Sequence, residues 1–198
     1  MVYLTALPEG LARGERARAE SLCGWGLLLR ALKERGLAPS GQSPAGLKAS
    51  AVRGPNGKPA LPDAGAAFSI AHCRGLVACA VEDVPVGVDV ERVRAFTPSL
   101  AARICAPREV PLAAGDDRLL TQLWTCKESH MKYTGRGFSQ GIAETAFRRL
   151  GARPRLAAGD AYFNSTEIIF GEQAFWLTEC IQAPRDLELV WVEYAALA

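Results

Sequence analysis

Two segments set carboxylates inside otherwise apolar runs: Val86-Gly87-Val88-Asp89-Val90-Glu91 and Trp124-Thr125-Cys126-Lys127-Glu128-Ser129-His130-Met131-Lys132. Successive side chains of an extended strand alternate between faces. Val86, Val88 and Val90 therefore share one face, and Gly87, Asp89 and Glu91 the other. Two carboxylates one pleat apart raise each other's pKa unless a cation or a proton sits between them. An oxygen-only pair of this kind suits Mg2+ or Mn2+ rather than zinc. In the second segment Trp124, Glu128 and Lys132 are four apart, which on a helix stacks them on one side, the lysine one turn beyond the glutamate. Taken singly, each motif is also what a solvated strand end or a Glu–Lys bridge at the edge of a core looks like. Together they favour chemistry.

The elements that must position these groups follow from periodicity. Leu119, Leu120, Leu123, Trp124, Lys127, Glu128 and Met131 recur at three and four residues, predicting a helix over 118–133 that Gly135 is placed to end. Residues 13–37 read as a basic amphipathic helix closed near Gly36, followed by a Gly/Pro/Ser-rich loop up to Gly46. Residues 52–59 form a turn cluster around Asn56-Gly57. Strands are expected at 67–72, 76–81 and 86–90 as a meander, then one or two helices within 99–112, and late strands near 166–170, 174–181 and 189–194. A helix-then-strands order that occurs twice suggests an α+β chain of two similar halves, residues 1–86 and 87–198.

Composition narrows the classes. With 198 residues, 49% hydrophobic and 22% charged, the chain is a globular protein and neither disordered nor fibrous. The net charge of +2 is too small for a nucleic-acid binder, but residues 1–60 hold nine Lys/Arg against four acids, a local +5 that leaves −3 for the rest. A basic third facing an acidic metal-binding half suits a nucleotide-like polyanion bridged by a metal; a solvated basic helix face is the plainer alternative. The six cysteines show no C-x-x-C spacing and the first eight residues lack a signal peptide's pattern, so a cytoplasmic location with reduced thiols is expected. Cys126 and His130 are four apart, but no second pair completes a zinc site. No run is apolar enough to span a membrane. With only two histidines and no Gly-x-Ser-x-Gly elbow, a serine hydrolase is disfavoured.

In order along the chain, Asn56-Gly57-Lys58-Pro59, Phe68-Ser69-Ile70-Ala71-His72-Cys73, Val86 to Glu91, and Trp124 through Lys132 to Gly135-Arg136-Gly137 resemble the motif set of the Sfp-type 4′-phosphopantetheinyl transferases. The resemblance is close over 56–137 and loose in the flanks. It implies a monomeric pseudo-dimer of two α+β halves, each a long helix packed on a small antiparallel sheet, with coenzyme A bound between them. The implied reaction transfers 4′-phosphopantetheine from coenzyme A to a serine of an apo acyl or peptidyl carrier protein of fatty acid, polyketide or nonribosomal peptide biosynthesis, releasing 3′,5′-ADP. The implied metal ligands are Asp89, Glu91 and Glu128, holding Mg2+, or Mn2+, on the pyrophosphate. Glu128 is also the implied base for the serine, Lys132 steadies the phosphoryl oxygens, and Lys127 assists or is simply a helix lysine reaching for water. His72 and Cys73, Lys58, and Arg16 or Arg18 are the implied coenzyme A contacts.

The chain also departs from the family pattern. Where a Ser-His-Ser core is common, it has Ala71-His72-Cys73, so a hydroxyl beside the 3′-phosphate is expected to be missing. The segment before the first long helix is short, and the basic residues that usually precede that helix must be found in Arg13, Arg16 or Arg18. Two other readings use the same residues: a metal-dependent pyrophosphohydrolase, although the multi-glutamate helix of Nudix-type enzymes is missing, and a non-catalytic binder of coenzyme A or a carrier protein. Residues 13–35 or 97–112 are the expected carrier-docking region.

Overall fold

The computed structural model describes residues 1–142 and 144–197. The chain opens with strand β1 (Val2–Ala6) and helix α1 (Arg13–Glu34), whose first turn is tied by Glu15 accepting the Ala12 N–H at 3.1 Å. Helix α2 (Pro44–Ser50) follows, capped by the Ser43 hydroxyl on the Gly46 N–H. Strands β2 (Val52–Arg53) and β3 (Pro59–Ala60) pair across the Asn56-Gly57 turn, where Gly57 takes φ +83. Next come β4 (Ala67–Cys73), β5 (Leu76–Glu82), β6 (Gly87–Arg92), helices α3 (Pro98–Ile104), α4 (Val110–Ala113) and α5 (Asp117–Thr134), and strands β7 (Phe147–Arg149), β8 (Arg155–Leu156), β9 (Tyr162–Phe170), β10 (Gln173–Ile181) and β11 (Leu189–Trp191). Asp116 starts α5 by accepting the N–H groups of Arg118 and Leu119, and Gly135 ends it at φ +69.

Beside the two-stranded pairs β2-β3 and β7-β8, two larger sheets result, ordered β11-β1-β5-β4 and β6-β10-β9, each carrying one long helix. Alternation along the strands decides which side chain goes where. In the first sheet Tyr3, Phe68, Val77 and Cys79 face α1, where they pack with Trp25 and Leu28. In the second, Phe163 and Cys180 face α5 and meet Leu123 and Cys126. The remaining faces close on one another, Leu4 and Ala78 against Val88 and Leu177. The chain is therefore α+β, four layers deep, helix on sheet on sheet on helix. Ser69 Oγ accepts the Val88 N–H at 3.0 Å and fastens β4 to β6. Among the described residues no helix is long and apolar enough to cross a membrane.

Several expectations are corrected. β4 and β5 pair as a hairpin, but β6 leaves them and pairs with β10, so the three do not form one meander. The one or two helices expected within 99–112 are two, α3 and α4, separated by the extended residues Cys105 and Ala106 before Pro107. Neither α2 nor β1, β7 and β8 was anticipated from spacing. The sheets are not wholly antiparallel, since β11 pairs parallel to β1, bringing residues 189–191 back to the first sheet. Leu197, near the end of the chain, likewise lies against Gly26 of α1.

One glycine sets how near α5 approaches its sheet. A Cβ on Gly87 would stand 1.9 Å from the Ser129 carbonyl oxygen and 2.5 Å from the Tyr133 nitrogen, both helix backbone atoms that cannot swing aside. Gly87→Ala is therefore expected to lower stability by about 3 kcal/mol. Urea unfolding of the variant checks this; a midpoint equal to wild type would mean the helix has room to retreat.

Candidate active site

Asp89 and Glu91 lie on the same face of β6 as Gly87, as alternation requires, and this is the face that α5 covers. The close approach at Gly87 brings Glu128 and Lys132 down beside them. Lys132 Nζ donates to Asp89 Oδ1 at 2.8 Å. Asp89 is 5% exposed, and its second oxygen, Oδ2, is buried without any partner. Glu91 accepts the Cys73 thiol at 3.1 Å. Burial, and then the Asp89 charge, push the Glu91 carboxyl above the usual carboxylate range. Glu128 is pushed up to about 7, by burial first and by Asp89 next, with Lys132 opposing the shift. A carboxyl poised near neutrality beside other acids is the signature of a group that accepts a proton or meets a cation.

Glu128 and Lys132 open on a cleft of about 240 Å³ that also meets Lys58, Phe68, Ile70 and Met131. The Asn56-Gly57 turn reaches it because Asn56 Nδ2 donates to the Gly135 carbonyl at the end of α5. Lys58 Nζ donates to the Val86 carbonyl at 3.0 Å, and burial moves the ammonium below its ordinary range. One wall is thus apolar and one is charged.

The three carboxylates fit a hard divalent cation by their chemistry. The orphaned Asp89 oxygen lacks a donor, and a cation would relieve the pressure that holds Glu91 and Glu128 toward protonation. Among the described residues, no three acidic, histidine or cysteine side chains already close on a common point. Lys132 holds one Asp89 oxygen in their place.

The other expected residues are dispersed. Lys127, one residue from Glu128, is fully buried on a different side of α5, donating to Glu109 Oε2 at 2.6 Å and to the Ile142 carbonyl at 3.0 Å. Both of those bonds are inside the protein, and Lys127 does not line the cleft. His72 points to the α1 side of β4, 3.3 Å from Glu20, whereas Cys73 points to the opposite side and bonds Glu91. Alternation forbids the expected pairing of positions 71 and 72 around one phosphate, because Ala71 is 3% exposed in the layer between the sheets. A hydroxyl there would meet hydrocarbon. Arg16 does not border the cleft; it donates to the Leu11 carbonyl and lines another cavity. Arg18 is exposed.

Sequence reasoning missed Glu20, Glu109 and Ser69. Glu20 had a faint signal, lying four residues before Gly24 on the buried stripe of α1, where its Oε1 accepts the Gly75 N–H at 2.9 Å. Glu109 accepts locally from Ala106 N, three residues before it, but its other partners, Lys127 and Phe147 N, lie 18 and 38 residues away, and no local pattern announces them.

A family profile described as the 4′-phosphopantetheinyl transferase superfamily matches residues 85–178. A 4′-phosphopantetheinyl transferase of Bacillus subtilis is 37% identical over 86 residues, 41% of this chain and 38% of that protein. The transferase Sfp of Bacillus subtilis strain 168 is 33% identical over 89 residues, 42% and 40%, and the transferase HetI of Nostoc is 34% identical over 96 residues, 42% and 40%. The chain spans about two fifths of the length of the curated relatives it matches. The matched segment contains Asp89, Glu91, Glu128 and Lys132, while Lys58 and His72 lie before it.

Two outcomes follow for the two lysines and for the cation. Lys127→Met leaves Glu109 charged and fully buried, which is expected to cost about 3–5 kcal/mol, whereas Lys132→Met unpairs Asp89 in a pair still partly open to solvent and is expected to cost less; urea unfolding of both variants tests the difference. Because Glu128 must lose its proton to bind a cation and holds it up to about 7, Mg2+ affinity is expected to climb about tenfold per pH unit below neutrality and to level off above it. Calorimetric titrations across that range check the slope, which Glu128→Gln should flatten.

Proposed function

We propose that the protein transfers the 4′-phosphopantetheine group of coenzyme A to a serine hydroxyl of an apo acyl or peptidyl carrier protein. The serine oxygen attacks the β-phosphorus, the bond from that phosphorus to the bridging oxygen breaks, and 3′,5′-ADP departs with the electron pair. The observation that carries this reading is Glu128, a carboxyl held near neutrality by burial and by Asp89, lining a cleft that Lys58 and Lys132 also line.

In this reading Glu128 takes the serine proton, directly or through a water. Lys132 turns from Asp89 toward the transferred phosphoryl group and stabilises the charge there. Lys58 meets the phosphates from the opposite wall, and His72, half-exposed beside Glu20, is assigned the 3′-phosphate. Asp89, Glu91 and Glu128 would hold Mg2+ or Mn2+, which when bound would neutralise charge on the pyrophosphate and the leaving group. The apolar wall of Phe68, Ile70 and Met131 keeps water from competing with serine.

Mass spectrometry of an apo carrier protein incubated with the enzyme, coenzyme A and Mg2+ tests the proposal. The expected product is the carrier heavier by one phosphopantetheine. Free phosphopantetheine with an unchanged carrier would mean hydrolysis instead, and no reaction of coenzyme A would mean a binder. Glu128→Gln should lower turnover by roughly a hundredfold or more at saturating Mg2+. Full recovery of that variant at high Mg2+ would leave Glu128 only a ligand.

A further inference from the structure

A second cavity, of about 540 Å³, opens at the strand ends where the β4–β5 turn nears the β9–β10 turn. It shares no lining residue with the carboxylate cleft. Three arginines reach it from three elements: Arg16 of α1, Arg74 of the β4–β5 turn and Arg92 at the end of β6. None of them is in an ion pair among the described residues. The two acids at the cavity, Glu9 and Glu172, are both exposed. Arg16 spends one N–H on the Leu11 carbonyl, and Arg92 Nη1 reaches Gln173 Oε1 at 3.5 Å. The Nε–H of Arg92 is buried with no acceptor. Such a donor is costly to leave unpaired and is satisfied when a ligand brings an acceptor.

Arg74 supplies an independent observation. Cys73 pairs with Leu76, so Arg74-Gly75 is a two-residue hairpin loop, with φ +43 and φ +95. Loops with both φ positive are built at least strain by Asn-Gly or Gly-Gly, and a long side chain at the first position is strained against its own backbone. Arg74 is the only non-glycine residue at positive φ among those described. Its turn needs no guanidinium. A guanidinium is nevertheless held there, facing the same hollow as Arg16 and Arg92.

We propose that this cavity is a second anion site that takes a small phosphate-bearing ligand on Arg16, Arg74 and Arg92, independently of the carboxylate cleft. The planar fork of arginine matches two phosphate oxygens at once, and three forks from separate elements suit a ligand with more than one phosphate group or a single fully ionised one. The site stands whether or not the carboxylate cleft transfers phosphopantetheine.

Calorimetric titration with inorganic pyrophosphate, without metal, tests it on the full chain. Arg74→Gly suits the purpose because glycine adopts positive φ freely, so thermal unfolding should occur at or above the wild-type temperature. Pyrophosphate is expected to bind wild type and Glu128→Gln alike, and to bind Arg74→Gly and Arg92→Met about tenfold or more weakly. Binding should persist at saturating coenzyme A. The proposal is overturned if wild type binds no pyrophosphate, if the two arginine variants bind it as wild type does, or if coenzyme A abolishes binding, which would merge the cavity with the cleft.

Discussion

Everything at the candidate site depends on how closely one helix lies on one strand. Gly87 offers no side chain to α5, and the helix backbone at Ser129 and Tyr133 occupies the space a Cβ would need. That contact fixes the height of the helix, and with it the reach of Glu128 and Lys132 to Asp89. It also buries Asp89 and partly shields Glu91 and Glu128 from water. Their elevated proton affinity is thus a consequence of packing as much as of charge: burial is the larger cause at both Glu91 and Glu128. A helix standing farther off would leave the same residues as ordinary surface acids.

The same helix presents two lysines with opposite fates. Lys132 lies one turn past Glu128 and remains partly open to the cleft, so its bond to Asp89 can be exchanged. Lys127 is sealed with Glu109, and that pair gathers Ala106, Ile142 and Phe147 around it. Fully buried pairs are weak sources of net stability but expensive to break. Here the pair fixes the turn before α4 and the segment before β7 to the back of α5, and it resists rotation of the helix about its axis.

Much of this was legible in residue order. The alternation of Gly87, Asp89 and Glu91 and the four-residue spacing of Trp124, Glu128 and Lys132 are local patterns, and local patterns survive into the fold. The strands at 67–72, 76–81 and 174–181 were found for the same reason. What escaped is non-local. Neighbouring segments in sequence were expected to pair, yet β6 takes β10 as its partner because its apolar face has a second sheet to bury against. Lys127 could not be told from Lys132 without Glu109, which lies 18 residues away. The family resemblance located His72 but not its orientation; strand alternation assigns that, sending Ala71 inward and His72 toward α1.

The parallel pairing of β11 with β1 reaches beyond the site. During synthesis β1 can pair with β5 early, but its other edge stays open until residues 189–191 leave the ribosome. That edge, Val2 to Leu4, is apolar and extended, the kind of exposed strand that recruits other chains. The first sheet is therefore the first to begin and the last to be finished, and the interval between those two events is when a nascent chain is most exposed to aggregation.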